Sequence, residues 1–334
     1  MLNYNNNLKI KVRYSQIDPD WLKEIMVEKY HFTEPFSCRF FDSGINDIYL
    51  VNIDNKNYYL RISQAGVHSE IDYKEEMNII NHLYKEELSV ATPVCCKDGE
   101  YIWPIEAPEG IRYAVLFHEA INKPSEDNEK KAYNLGCELA KLHNIADIND
   151  FEVSREPISL TCLVDQSLAL IKPHLNHRKD DFEFLEKTSQ EIKGHIQNNL
   201  STQKPFYGYC HGDIHSGNVF FDDNKPTIFD FDCMGYGYRV YDICVYAWNH
   251  TFDNEDYIDK DEWKAYIDGY NSIRQLSTSE LELISAFAAL RELWLIGLHA
   301  DIITRNAGCC WYNDGYFDFQ IGKYKLWYNR VTMK

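Results

Sequence analysis

Three polar residues in a fixed order around one hairpin constrain this chain more than any other feature. The run His211-Gly212-Asp213-Ile214-His215-Ser216-Gly217-Asn218-Val219-Phe220-Phe221 is followed by Pro226-Thr227-Ile228-Phe229-Asp230-Phe231-Asp232. Asn218 stands five residues after Asp213, and Asp230 twelve after Asn218. The apolar runs 219–221 and 227–229 flank the turn Asp222-Asp223-Asn224-Lys225. That is a hairpin pattern, and it returns Asp230 to the neighbourhood of Asn218. Gly, Asp, Asn and Ser are ordinary turn formers, so a lone His-Gly-Asp says little. Three such groups ordered around one hairpin predict a site rather than a loop.

The spacing has a chemical meaning. Phosphoryl transfer needs a carboxylate beside the attacking hydroxyl and two oxygen ligands that hold Mg²⁺ on nucleotide phosphates. The protein-kinase signature supplies these as His-Arg-Asp, an Asn five residues on, and a later Asp-Phe-Gly. Here Asp213, Asn218 and Asp230-Phe231-Asp232 stand in the same order. Asp213 is therefore the candidate catalytic base, and Asn218 and Asp230 are the candidate metal ligands. An alternating set of His211, Asp213 and His215 would also suit a metal-dependent hydrolase. It leaves Asn218 and the Asp230 hairpin without a role.

With 334 residues, 45% of them hydrophobic and 26% charged, the chain reads as a soluble globular protein of one large or two ordinary domains. No run approaches the roughly 18 apolar residues of a membrane span. The start, Met1 to Asn7, lacks a basic-then-apolar signal. The ten cysteines include no Cys-x-x-Cys, and Cys95-Cys96 and Cys309-Cys310 are adjacent. Reduced thiols in a cytoplasmic protein are expected. A net charge of −18 argues against nucleic acid or an anionic membrane as partner and is compatible with a cationic substrate.

Asp18-Pro19 predicts a helix start running to about Tyr30, with Trp21, Ile25 and Met26 as its apolar side. Strand-like runs follow over 37–41, 47–53 and 58–62, a meander with Asp54-Asn55-Lys56-Asn57 as one turn. Between the first two lies Ser43-Gly44-Ile45-Asn46-Asp47, a loop that could lay backbone N–H groups over phosphate. One glycine fits an ordinary hairpin turn equally well. On the third strand Arg61 stands where kinases carry a phosphate-holding Lys. The helix over 69–87 puts Glu76, Ile80 and Leu83 on one face, so Glu76 points to the sheet and Arg61 is its candidate partner. Glu75 is the competing choice.

Further strands are predicted near 93–96, 101–105 and 112–117, with Asp98-Gly99 as a hairpin turn. The polar break His118 to Pro124 marks the domain boundary, dividing a β-rich nucleotide-binding lobe over 1–120 from a helical catalytic and substrate lobe over 121–334. Helices are predicted from Asp127 onward, over 159–171, 180–200, 241–252, 263–272, 279–303 and near Ile321. His143 reads as a packing histidine. The acid-rich stretch 253–262 reads as a solvated helix start that would favour a cationic acceptor if it lined the cleft, and the aromatic run 311–319 reads as packing. Strands first and helices second give an α+β protein of two lobes.

These residues resemble those of the aminoglycoside-phosphotransferase-like kinases, a family that includes choline kinase, type II homoserine kinase and stress-response kinase A. The likeness spans Ser43-Gly44-Ile45-Asn46, Leu60-Arg61, Leu135-Gly136 to Leu142-His143, and is most specific at His211-Gly212-Asp213, Asn218 and Asp230-Phe231-Asp232. The resemblance implies a protein-kinase-like fold, with Asp213 as catalytic base and Asn218 and Asp230 as Mg²⁺ ligands. In such a fold His118 and Ala120 present backbone groups to adenine. It also implies ATP or GTP as donor and a hydroxyl acceptor, with Asp242 as a structural residue. The acceptor expected is a small molecule of the amino-sugar or amino-alcohol kind, with protein Ser/Thr as the alternative and a monomer or homodimer as the assembly. A nucleotide-binding pseudokinase is the non-enzymatic alternative, against which all three chemical positions are intact. Arg61 departs from the Lys of many members, which bears on phosphate affinity.

Overall fold

The computed structural model describes residues 11–32, 35–252, 255–303 and 310–331. Met1 to Asn7, Asp253, Asn254 and Cys309 lie outside the described residues.

Asp18 accepts from the Asp20 N–H and starts α1 (Pro19–Lys29), with proline in the first turn, where its missing N–H has no helical partner to lose. The buried face of α1 is Leu22 and Met26. Trp21, assigned to that face from the sequence, is 40% exposed. The strands β1 (Phe36–Ser43), β2 (Asp47–Ile53) and β3 (Lys56–Ile62) form the expected meander, and β4 (Ile102–Ala107) and β5 (Gly110–His118) complete an antiparallel sheet in the order β1-β2-β3-β5-β4. Side chains alternate across a strand. Leu60, Ile62, Ala114 and Leu116 therefore join the core under α1. Val115 faces the other way, into the core that holds α2 (Glu70–Lys85). Arg61, between Leu60 and Ile62, shares that second face. Ser69 and Asp72 close a capping box that starts α2.

The segment expected as a strand over 93–96 makes only isolated bridges, Val90 to Ile228 and Pro93 to Phe117. It splices the two lobes. Val94 donates to Leu116 and His118 donates to Thr92, while Ile228 donates to Ser89 and Ala91 to Ile228. A chain that alternates its hydrogen bonds between two sheets cannot extend either ladder. The Asp98-Gly99 turn exists, but the hairpin joining β4 to β5 is 107–110.

The second lobe begins with the short β6 (Lys123–Pro124) and α3 (Asn128–Asn149), capped by Asp127. A π-turn over Thr161–Gln166 leads into α4 (Ser167–Ile171), then α5 (Lys179–Asn199). Next come β7 (Tyr207–Cys210), the hairpin β8 (Val219–Asp223) and β9 (Lys225–Ile228), and β10 (Gly235–Tyr238). The helices α6 (Arg239–His250), α7 (Asp261–Ile273), α8 (Thr278–Glu282), α9 (Ile284–Ile302) and α10 (Asp314–Tyr328) follow. One helix expected over 279–303 is broken at Leu283 into α8 and α9. β6 pairs in parallel with β8, and β7 pairs with β10. Among the described residues no helix is long and apolar enough to cross a membrane.

Helices α3 and α7 pack at a pair of glycines. A Cβ on Gly136 would collide with the Tyr266 carbonyl oxygen, and one on Gly269 with that of Tyr133. Backbone cannot yield as a flexible side chain can. Gly136→Ala and Gly269→Ala are each expected to destabilise the fold by about 2–3 kcal/mol in urea unfolding. Gly194, on α5 with open space around it, should instead gain roughly 0.5–1 kcal/mol as alanine.

Candidate active site

The loop after β7 is held from below by Asp242 on α6. Its Oδ2 accepts from the His211 N–H (2.7 Å) and its Oδ1 from the Gly212 N–H (2.6 Å). Gly212 has φ +85°, and a Cβ there would strike the Cys233 carbonyl oxygen. Only glycine fits. His143 on α3 donates through Nε2 to Asp242 (3.1 Å) and accepts the Tyr270 hydroxyl at Nδ1 (2.8 Å), the neutral tautomer that serves both. Burial keeps His143 well below the usual histidine range and, against the pull of the two N–H groups, raises Asp242 to about 6. The group His143, Cys210 and Asp242 lies close enough for a metal. The ring nitrogens of His143 and both carboxylate oxygens of Asp242 are, however, already hydrogen-bonded within the protein.

His211 is buried and neutral, its pKa lowered to about 4 chiefly by desolvation. Nδ1 accepts from the Asp213 N–H (3.2 Å), and Nε2 donates to the Phe229 carbonyl (3.1 Å). With both nitrogens engaged, His211 shapes the loop and cannot join a hydrolytic metal set with Asp213 and His215.

Asp213 faces the cleft. Its Oδ2 receives the Asn218 amide (3.2 Å) and lies 3.4 Å from His215 Nε2. Its Oδ1 is paired with Arg291 of α9. Arg291 also donates to the Tyr241 hydroxyl (3.1 Å), and its guanidinium lies 4.4 and 4.8 Å from the ring centroids of Trp294 and Trp248. Burial alone would raise Asp213, but Arg291 and then His215 override it and hold the carboxylate below its ordinary range. Asp213 is ionised at neutral pH.

Phe229 donates to the Asn218 carbonyl (3.0 Å), and the β8–β9 hairpin so brings Asp230 beside Asn218. The Asn218 amide nitrogen is engaged with Asp213, which leaves the amide oxygen for the Asp230 side. The Asp230 side chain keeps 42% exposure, while that of Asp232 is buried at 7%. Desolvation and then the negative charge of Asp232 push Asp230 up to about 6. Burial would raise Asp232 as well, but Arg61, Arg155 and His68 hold it down. An accessible carboxylate crowded by others, beside a free amide oxygen, is a hard oxygen pair suited to Mg²⁺.

Arg61 meets Glu76 bidentately, at 2.8 and 2.9 Å, and its guanidinium lies 3.5 Å from Asp230. Glu75 points away and accepts from Ser154 instead. Asn46 turns inward and donates to Asp232 (3.0 Å). The Ser43 hydroxyl is engaged with Asp47 (2.8 Å), which Tyr14 and Arg112 also hold, and Gly44 is exposed at the loop tip. His118 ends β5 with its N–H engaged by Thr92, and Ala120 follows it. Arg61 thus joins Glu76 and Asp230, Asn46 joins the neighbouring Asp232, and Asn218 joins Asp213 and, through its carbonyl, Phe229 beside Asp230.

The acid-rich stretch meets cations: Glu255 lies 3.8 Å from Lys323 of α10, and Asp256 and Asp259 lie 3.5 and 4.0 Å from Arg330. In the aromatic run Phe317 is buried, while Trp311 and Phe319 remain 44% and 52% exposed.

The sequence profile of the phosphotransferase enzyme family (APH) matches residues 37–276. The chain belongs to that family. A protein of Synechocystis sp. without an assigned function is 32% identical over 87% of this chain and 80% of its own. The amicoumacin kinase of Bacillus subtilis is 23% identical, covering 81% of each chain, and the homoserine kinase of Neisseria meningitidis serogroup B is 27% identical over 80% and 83%. Among solved structures, amicoumacin kinase hAmiN in complex with AMP-PNP, Ca²⁺ and Ami superposes with a TM-score of 0.73 at 19% identity, over 96% of this chain and 95% of that one. A microcompartment-associated aminopropanol kinase gives 0.68 at 17%, over 92% and 95%. The fold is the protein-kinase-like one of two lobes, and the protein is a kinase of the APH family.

Two charged residues at this kinase site carry no motif. Arg155 lies in a short polar linker and gives no sequence signal. Arg291 does: Arg291-Glu292 interrupts the otherwise apolar run 286–298, and a charge pair inside a buried helix needs partners. Glu292, fully buried, accepts from Trp248 Nε1 (2.7 Å), and desolvation raises it to about 7. A raised acid holds its proton in the folded state while the unfolded chain releases it above about pH 4.5. Stability from this residue is therefore present below pH 4.5 and lost as pH rises through 7, by at most about 1.4 kcal/mol per pH unit. Glu292→Gln keeps an acceptor for Trp248 and never ionises. In urea unfolding it is expected to gain on the parent between pH 5 and pH 8; equal pH slopes would contradict the assignment.

Proposed function

We propose that the protein moves the γ-phosphoryl group of ATP or GTP to a hydroxyl of a small molecule of the amino-alcohol or amino-sugar kind. The convergence of Asp213, Asn218, Asp230 and Arg61 on one cleft carries this reading. Asp213, ionised and fixed by Arg291 and Asn218, orients the acceptor hydroxyl and takes its proton. The acceptor oxygen bonds to the γ-phosphorus as the bond to the β–γ bridging oxygen breaks in line, and the nucleoside diphosphate leaves. Asn218 and Asp230 would hold Mg²⁺, which supplies charge neutralisation on the phosphates. Arg61, set by Glu76, reaches the α- and β-phosphates, and the backbone of Ser43, Gly44 and Asn46 covers them. With the His118 N–H engaged, Ala120 is left to meet the adenine edge. Residues 1–120 form the nucleotide lobe and 121–334 the acceptor lobe, in a cytoplasmic monomer or homodimer.

The names of the relatives support a small acceptor, since amicoumacin, aminopropanol and homoserine kinases are all named for small molecules. A protein Ser/Thr acceptor is the alternative, and one assay separates the two. Labelled γ-phosphate from Mg-ATP is followed with a panel of small amino-alcohols and amino-sugars, and in a lane without acceptor. The expected result is label on a small molecule, falling at least about 100-fold in Asp213→Asn while that variant still binds nucleotide. Label on protein alone would select the alternative. Undiminished transfer by Asp213→Asn would remove Asp213 from its role.

A further inference from the structure

Asp230 occupies the left-handed region at φ 62°, ψ 72°, which a residue other than glycine holds only when its surroundings impose it. The turn after it, Phe231–Cys233, exposes two carbonyl oxygens to the linker that follows α3. Arg155 takes both through Nη1, at 2.9 Å to Phe231 and 2.8 Å to Asp232. Its Nη2 donates to Glu76 Oε2 at 2.7 Å. The neighbouring Ser154 donates to Glu75 through its N–H (2.6 Å) and hydroxyl (2.7 Å). Two consecutive residues of the helical lobe grip two consecutive glutamates of α2, and one of them also grips the Asp230 turn.

We propose that Ser154-Arg155 is a strut that fixes α2 and the Asp230 turn in register, with Arg155 as the positioning residue for both. The inference rests on the kinase reading of Asp230 and Glu76. Its consequence is regulatory. For α2 to swing away from the sheet, Glu76, Arg61 and Arg155 would all have to part while buried at 0, 5 and 6% exposure, and unpaired buried charges are strongly disfavoured. The Arg61–Glu76 pair is therefore assembled in the resting protein and needs no modification or partner to form. The carbonyls and the carboxylate are met by two different nitrogens of one guanidinium, Nη1 and Nη2, so a single lysine ammonium is a poor replacement for Arg155.

The test compares the parent with Arg155→Met, Arg155→Lys and the double variant Ser154→Ala/Glu75→Gln. It reads amide hydrogen exchange over residues 70–85 without nucleotide, and calorimetric affinity for ADP with and without Mg²⁺. In Arg155→Met, exchange over α2 is expected to rise at least about tenfold. The Mg²⁺-dependent gain in ADP affinity should shrink by about 10–100-fold, over and above any fall in metal-free ADP affinity that comes from a loosened Arg61. A merely structural Arg155 would lower both affinities together. Arg155→Lys should restore less than half of the loss. The double variant, altered only at the outer pair, should speed α2 exchange and leave the Mg²⁺ dependence alone; it keeps the idea testable if Arg155→Met does not fold. Parental exchange in both Arg155→Met and the double variant would overturn the strut. A parent that binds no Mg-nucleotide would instead sink the kinase reading, and the exchange arm would still decide on the strut.

Discussion

One buried carboxylate, Glu76, lies between two guanidiniums, and the positions of the other groups at the site follow from it. Arg61 approaches from the sheet and Arg155 from the helical lobe, at 2.8 and 2.7 Å. Such a cluster is a poor source of net stability, because desolvating four or five charges offsets their attraction. Its value lies in geometry. With Arg61 oriented by Glu76, its guanidinium can stand 3.5 Å from Asp230. With Arg155 committed to the same carboxylate, the two lobes share an ion-pair network rather than a hinge alone. The buried Asp232 balances the second positive charge, so Asp230 is the carboxylate left without a dedicated cation.

A second buried acid organises the loop after β7. Asp242 gathers the His211 and Gly212 N–H groups and the His143 ring, tying α3, α6 and the Asp213 loop at one point. A single carboxylate accepting three donors explains why the loop can hold Asp213 out toward the cleft. It also explains the tight tolerance at Gly212, whose left-handed backbone presses on the Cys233 carbonyl just beyond Phe231. The loop that carries Asp213 and the turn that follows Asp230 are thus in direct contact.

Much of this was legible in the sequence because it is local. Helical spacing turned Glu76 toward the sheet, with Glu75 as the competing choice, and the need of a buried carboxylate for a cation pointed to Arg61. The hairpin turn returned Asp230 to Asn218. Asp18-Pro19 announced α1. What stayed hidden depends on contacts distant along the chain. Arg155 reaches Glu76 across 79 positions and Arg291 reaches Asp213 across 78, and neither pairing leaves a periodic trace. The strands β7 and β10 were not among the expected elements; their glycines permit close packing on Arg239 and Ile158. On α1 Met26 is buried as expected and Ile25 packs partly buried against the same core, but Leu22 takes the place expected of Trp21.

Net charge was the least transferable of the sequence observations. A value of −18 describes the field of the whole surface, whereas recognition depends on the few groups lining the cleft. Near Asp213 the fixed charge contributed by α9 is positive, the Arg291 guanidinium between two tryptophans. The acidic stretch that suggested a cationic acceptor is tied instead to Lys323 and Arg330. An acceptor whose hydroxyl approaches Asp213 therefore meets a cation already in place. That cation is at the same time neutralised by Asp213 itself, so the groups that meet an acceptor are set by this one buried pair and not by the sign of the whole surface.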